Sequence, residues 1–126
     1  MSSKRTNYTC LVVEDEWLLR MELVDELQSA GWSTLEASTG EEALALLDEM
    51  PAVHFLITDI RLTGPVDGWG VADRFRALHP NGAVIYVSAN PDLAARRLPG
   101  SVFLGKPVEM RSVLATCDAL VLPPAD

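Results

Sequence analysis

The sequence is poor in cysteine and in basic residues, and it has no long apolar run. Its two cysteines, Cys10 and Cys117, lie far apart, with neither metal-site nor redox spacing. They are expected to be buried free thiols in a reducing cytoplasm. Lys and Arg number 10 against 18 Asp and Glu, a formal net charge of −8. A surface so acidic argues against nonspecific binding to nucleic acid, which needs a basic face. No apolar stretch approaches the roughly 20 residues of a membrane span. The start, Met1-Ser2-Ser3-Lys4-Arg5, is basic, but Glu14-Asp15-Glu16 interrupts the apolar run behind it, so no signal peptide is expected. Linkers, internal repeats and low-complexity segments are also absent.

What is present suits a globular protein. The chain has 126 residues, 48% hydrophobic and 22% charged. One domain over residues 1–126 is expected, with its core at about residues 8–121 and no residues left for a second domain. Residues 1–7 are polar and expected to fray.

Short β-branched runs alternate with helical patterns. The strands are expected at Tyr8 to Val13, Trp32 to Ala37, Val53 to Asp59, Ala83 to Val87 (ending at Ser88) and Ser101 to Leu104. The first helix carries Trp17, Met21, Val24 and Leu27 at helical spacing, widened by Leu19 and Leu23, and stops at Gly31. Thr39 and Glu42 have capping-box spacing, and Pro51 ends the helix they start. A third helix covers Gly68 to His79, and a short one fits between Pro91 and Arg97. The last carries Met110, Val113, Leu114, Cys117, Leu120 and Val121 on one face and is closed by Pro123-Pro124. Five strands alternating with five helices, the fourth short, imply an α/β, flavodoxin-like, doubly wound parallel sheet of order 2-1-3-4-5.

Such sheets place their chemistry outside the carboxyl ends of the strands. Those ends carry Glu14 and Asp15, then Asp59, then Ser88, then Lys106. Three acids would converge with one hydroxyl and one amine. Clustered carboxylates without Cys or His call for a hard cation, Mg²⁺ or Mn²⁺. A carboxylate beside such an ion can attack phosphorus and form an acyl phosphate. Lys106 and Ser88 would then contact phosphoryl oxygens.

These residues resemble the receiver domain of two-component response regulators, over about Tyr8 to Val121. The resemblance rests on Val12-Val13-Glu14-Asp15-Glu16, Leu56-Ile57-Thr58-Asp59, Tyr86-Val87-Ser88-Ala89 and Gly105-Lys106-Pro107. It implies that Asp59 accepts a phosphoryl group from a sensor histidine kinase or phosphotransfer protein. It implies a metal set of Glu14, Asp15, Asp59 and the backbone carbonyl of Arg61. Ser88 and Phe103 would form the switch, Arg61 and Asn90 would tune the lifetime of the phosphoryl group, and Lys106–Pro107 would be cis. It implies a bacterial, cytoplasmic stand-alone switch that acts through a protein partner, as a monomer or weak homodimer. It implies self-catalysed phosphorylation and dephosphorylation rather than an enzyme acting on other substrates. Two departures stand out: the short span from Ser88 to Lys106, and Phe103 where a tyrosine would offer a hydroxyl.

Other readings are a docking module that is never phosphorylated and a receiver piece of a hybrid kinase. A dehalogenase-type phosphatase would need a second carboxylate at position 61, where Arg61 stands, and a flavin protein would need a glycine-rich loop where Glu14-Asp15-Glu16 stands. Of the remaining residues, Glu16 and His79 are expected to serve helix dipoles. His54 has no partner spacing, and Arg96 and Arg97 read as a solvated helix end. Trp17 and Trp69 are expected to be partly buried near the site.

Overall fold

The structure is a computed structural model that describes residues 8–50 and 52–121. The expectations for residues 1–7, Pro51 and Pro123-Pro124 lie outside the described residues, as does that for the Val121 side chain. The elements run β1 (Thr9–Val13), α1 (Trp17–Ser29), β2 (Ser33–Ala37), α2 (Gly40–Glu49), β3 (Phe55–Asp59), α3 (Gly68–Leu78), β4 (Ala83–Ser88), a 3-10 helix (Pro91–Arg96), β5 (Val102–Gly105) and α4 (Met110–Val121). All strand pairs are parallel, in the order β2-β1-β3-β4-β5. This is the expected flavodoxin-like architecture.

Strand alternation divides the core into two layers. Leu11, Val13, Leu56, Val84 and Tyr86 face Ala43 and Leu47 of α2 and Val71, Ala72 and Phe75 of α3. Cys10, Val12, Phe55, Ile57, Ile85 and Val87 face Leu23, Val24 and Leu27 of α1 and Val113 and Cys117 of α4. Both thiols are free and buried. Burial pushes both of them up, Cys117 to about 12, so they stay protonated and inert.

Local signals act largely as read. Gly31, at φ 99°, follows α1 in the left-handed region that glycine tolerates. Thr39 accepts from the Glu42 amide at 3.1 Å. Glu42 reaches back one residue further than a capping box requires, to the Ser38 amide and hydroxyl.

Two expectations need correction, and the short fourth helix stands as expected. Trp17 is 64% exposed and Met21 43%, and α1 buries only Leu23, Val24 and Leu27. These exposed positions lie in the first half of α1, ahead of the buried ones. The β1–β3 ladder begins at Cys10 and Phe55 rather than at Val53. There the Thr9 amide donates to His54 Nδ1 at 2.9 Å, which gives His54 a structural role. The fourth helical element is a 3-10 turn. Asn90 Oδ1 caps the Asp92 amide, and Leu93 N bonds Asn90 O at 3.2 Å, so the short span closes with i→i+3 bonds.

Candidate functional site

The parallel register brings four strand ends to one edge. Asp59 is the last residue of β3 and pairs with Val87, while Ser88 ends β4 opposite Gly105. Glu14 and Asp15 follow β1 directly, and Lys106 follows β5. Behind Asp59 the chain turns tightly into α3. Gly68 N donates to Ile60 O at 2.7 Å, and a Cβ at Gly68 would stand 2.0 Å from Asp59 O. Backbone on both sides leaves nothing to move aside. Gly68→Ala is therefore expected to lower stability by about 3 kcal/mol. A denaturant midpoint unchanged from wild type would contradict this.

Glu14, Asp15 and Asp59 each offer an oxygen within 4.8 Å of the others. Lys106 Nζ lies 3.0 Å from Glu14 Oε1, 3.0 Å from Asp59 Oδ2 and 3.3 Å from Glu16 Oε2. The contact to Glu14 is an ion pair without hydrogen-bond geometry, which leaves Glu14 Oε1 buried and without a hydrogen bond. Such an oxygen, in an all-carboxylate donor set, fits a hard divalent cation.

The electrostatics follow from burial. Glu14 is 1% exposed. Burial first, and the Asp59 charge second, push its carboxyl up to about 7, while the Glu16 amide and Lys106 pull the other way. For Lys106 burial acts downward, but the hydrogen bond to Asp59 and the charges of Asp59 and Glu14 outweigh it and hold the ammonium above the usual lysine range. A raised carboxyl means that the fold holds this proton more tightly than the unfolded chain does. Its contribution is therefore fully present below about pH 4.5 and is lost as pH rises through about 7. Without metal, the urea midpoint is expected to fall over that window. With Mg²⁺ the fall should be offset, because only the carboxylate binds the cation. Identical pH profiles with Mg²⁺ and with chelator would contradict the expectation.

Beside Asp59 lies a cavity of about 340 Å³ lined by Asp59, Arg61, Ser88, Ala89, Asn90 and Lys106. Ser88 is 3% exposed, and its Oγ accepts from the Asn90 amide at 3.1 Å. The Arg61 amide donates to Asp59 Oδ1 at 3.3 Å.

The model of the response regulator receiver domain family matches residues 10–118. The chain belongs to that family. It is 35% identical over 113 residues to the sensor kinase CckA of Brucella abortus (strain 2308), covering 86% of this chain but 12% of the kinase. It is 34% identical over 83 residues to the transcriptional regulatory protein CssR of Bacillus subtilis (strain 168), covering 66% of this chain and 36% of that regulator. The chain thus spans well under half the length of either relative. Among solved structures, a response regulator receiver protein from Sinorhizobium medicae WSM419 superposes with a TM-score of 0.85 at 30% identity, covering 90% of this chain and 93% of that one. The receiver domain of the hybrid histidine kinase CckA gives 0.77 at 26% identity, covering 89% and 97%. Receiver domains are phosphoacceptors of two-component systems, generally bind Mg²⁺, and work with histidine kinases or phosphotransfer partners.

In this receiver the residues singled out from sequence fall into two groups. Glu14, Asp15, Asp59, Arg61, Ser88, Asn90 and Lys106 meet at one edge, and Lys106–Pro107 is cis. Phe103 stands apart, paired with Tyr86 on β5 and packed against the layer under α2 and α3. Trp69 is buried, packs against Tyr86 with tilted rings 4.9 Å apart, and carries the Arg96 guanidinium 4.8 Å from its ring centroid. Arg96 is thus a cation–π partner rather than part of a merely solvated end. Arg97 turns back on its own segment, donating to Ala94 O. No helix among the described residues is long and apolar enough to cross a membrane.

Four contacts around this edge were missed from sequence. Arg20 donates to Glu14 O at 2.8 Å and to Glu36 Oε1 at 3.1 Å, tying the acidic loop to β2. Thr63 Oγ1 donates to Asp15 Oδ2 at 3.1 Å across the crevice. Glu16 caps α1 by position only, and its carboxylate bonds Lys106 instead.

Proposed function

We propose that this receiver accepts a phosphoryl group on Asp59 and thereby switches its affinity for a protein partner. The observation that supports this most is the setting of Asp59. The Asp59 side chain is 9% exposed, opens onto the 340 Å³ cavity, lies 3.0 Å from Lys106 Nζ and shares its oxygen cluster with Glu14 and Asp15.

A carboxylate oxygen of Asp59 forms an O–P bond as the P–N bond of a phosphohistidine breaks. The imidazole nitrogen leaves with the electron pair and takes up a proton. Glu14, Asp15, Asp59 and the Arg61 carbonyl would hold Mg²⁺, or Mn²⁺ in its place, which offsets charge on the transferring group when bound. Lys106 pairs with one phosphoryl oxygen, and Ser88 donates its hydroxyl to another. Ser88 is tied to the 3-10 helix through Asn90, so a hydroxyl that turns toward the phosphoryl group loosens that link. Phe103 adjusts on the same sheet. Arg61 and Asn90 line the approach of water and tune the adduct's lifetime.

The donor is a sensor histidine kinase or phosphotransfer protein, and the output is a downstream protein rather than nucleic acid or membrane. The receiver works in the bacterial cytoplasm as a monomer or weak homodimer, and it hydrolyses its own acyl phosphate. The retention of every acid, hydroxyl and amine at the cavity favours this over a docking module that is never phosphorylated. Incubation with a labelled phosphohistidine phosphotransfer protein and Mg²⁺ tests it. Label is expected to move to this chain and to be stripped by hydroxylamine, as an acyl phosphate is. Label stable to hydroxylamine, or none, would overturn the proposal.

A further inference from the structure

Lys106 has more partners than its role at the phosphoryl group requires. An ammonium has three N–H donors, and three carboxylate oxygens already surround Nζ within 3.3 Å, from Glu14, Asp59 and Glu16. Only the Asp59 and Glu16 contacts have hydrogen-bond geometry, so a phosphoryl oxygen that takes a well-aligned place on Nζ competes with them. The three differ in how readily they leave. The Glu14 side chain is 1% exposed and the Asp59 side chain 9%, whereas that of Glu16 is 68% exposed. Glu16 also makes the longest contact, at 3.3 Å. It stands at the mouth of an open cavity of about 500 Å³ whose walls include Leu18, Ala89, Pro107 and Val108, so its carboxylate has space to swing away.

We propose that Glu16 is a positioning residue: the exchangeable partner of Lys106, which competes with the phosphoryl group for the ammonium and therefore sets how fast Asp59 is modified. The proposal rests on the phosphoacceptor reading above. Before modification Glu16 holds the ammonium over the acids. As the O–P bond to Asp59 forms and the donor's P–O bond breaks, with acetate leaving when acetyl phosphate is the donor, Lys106 exchanges Glu16 for a phosphoryl oxygen. Glu16 belongs to neither the metal cluster nor the cavity that holds Asp59. Its influence passes entirely through the lysine.

The test compares wild type, Glu16→Gln and Glu22→Gln with acetyl phosphate and MgCl₂, following the adduct by intact mass. Glu22 lines the same outer cavity and makes no ion pair with Lys106, so it controls for loss of one negative charge on α1. Glu16→Gln is expected to form adduct about two- to five-fold faster than wild type, as suits an exposed ion pair. The gap should narrow in about 0.5 M KCl, where exposed charges are screened. Glu22→Gln should stay near wild type. A metal-free readout accompanies the kinetics: the ¹⁵N resonance of Lys106 Nζ should move in Glu16→Gln and not in Glu22→Gln. If wild type forms adduct and Glu16→Gln matches it, matches Glu22→Gln or is slower, the role of Glu16 is overturned while the phosphoacceptor reading stands. If wild type forms no adduct with any donor, both fall.

Discussion

Lys106→Met is expected to cut the rate of adduct formation on Asp59 by about 100-fold or more, the usual scale for removing one preorganised donor from a developing anionic centre. The same change should destabilise the metal-free protein at neutral pH by about 2 to 3 kcal/mol, less than for a fully buried pair because part of the ammonium meets solvent. Both effects arise from one arrangement. Lys106 Nζ is the cation held 3.0 Å from both Glu14 Oε1 and Asp59 Oδ2. Without it two buried carboxylates face each other unscreened. The stability loss should therefore shrink when Mg²⁺ is added. It should also shrink on acidification, because the Glu14 carboxyl, already pushed up to about 7 with the lysine present, takes a proton. The kinetic loss should not recover with Mg²⁺, since the ammonium's contact with the phosphoryl group is missing whether or not the ion is bound. Chemical denaturation with and without Mg²⁺, beside a time course of adduct formation, separates the two. A variant as stable as wild type without metal, or one phosphorylated at the wild-type rate, would contradict this account.

Asp59→Asn is expected to act in opposite directions on stability and on function. It removes the second-largest cause of the raised Glu14 carboxyl, the Asp59 charge, and leaves the Glu14–Lys106 pair in place. The metal-free protein should gain about 1 kcal/mol at neutral pH, the repulsion relieved being partly offset by the lost Asp59–Lys106 contact. It should respond far less to Mg²⁺, because one of the three clustered carboxylates is gone. It should accept no phosphoryl group at all. A carboxylate that costs stability and is nonetheless retained is what a functional site looks like energetically. Thermal melts in chelator that place Asp59→Asn below wild type would show that the acids are a stabilising network instead.

Much of this was legible in the order of residues. Asp59 ends a strongly apolar run, and each residue of β3 is buried. A carboxylate after such a run can only emerge at the strand's end. Glu14, Ser88 and Lys106 follow the same logic, so the parallel topology, once inferred, placed them together. The short span before Lys106 likewise foretold a reduced fourth helix, though not that it would be 3-10. What escaped notice depends on side chains meeting across distant segments. Periodicity put Trp17 on the apolar stripe of α1, yet Trp17 stays exposed and the helix buries only Leu23, Val24 and Leu27. Arg20, Thr63 and His54 each bond an atom far along the chain or across a loop, and nothing in their spacing marks it. Glu16 read as a dipole residue because its partner, Lys106, is 90 positions away.

The central claim is that Asp59 is the phosphoacceptor. Intact mass after incubation with Mg²⁺ and acetyl phosphate, on wild type and on Asp59→Asn, tests it most directly. The account predicts one added phosphoryl group on the wild type, lost on treatment with hydroxylamine, and none on Asp59→Asn. An adduct of equal extent on both proteins would place the acceptor elsewhere and contradict the account.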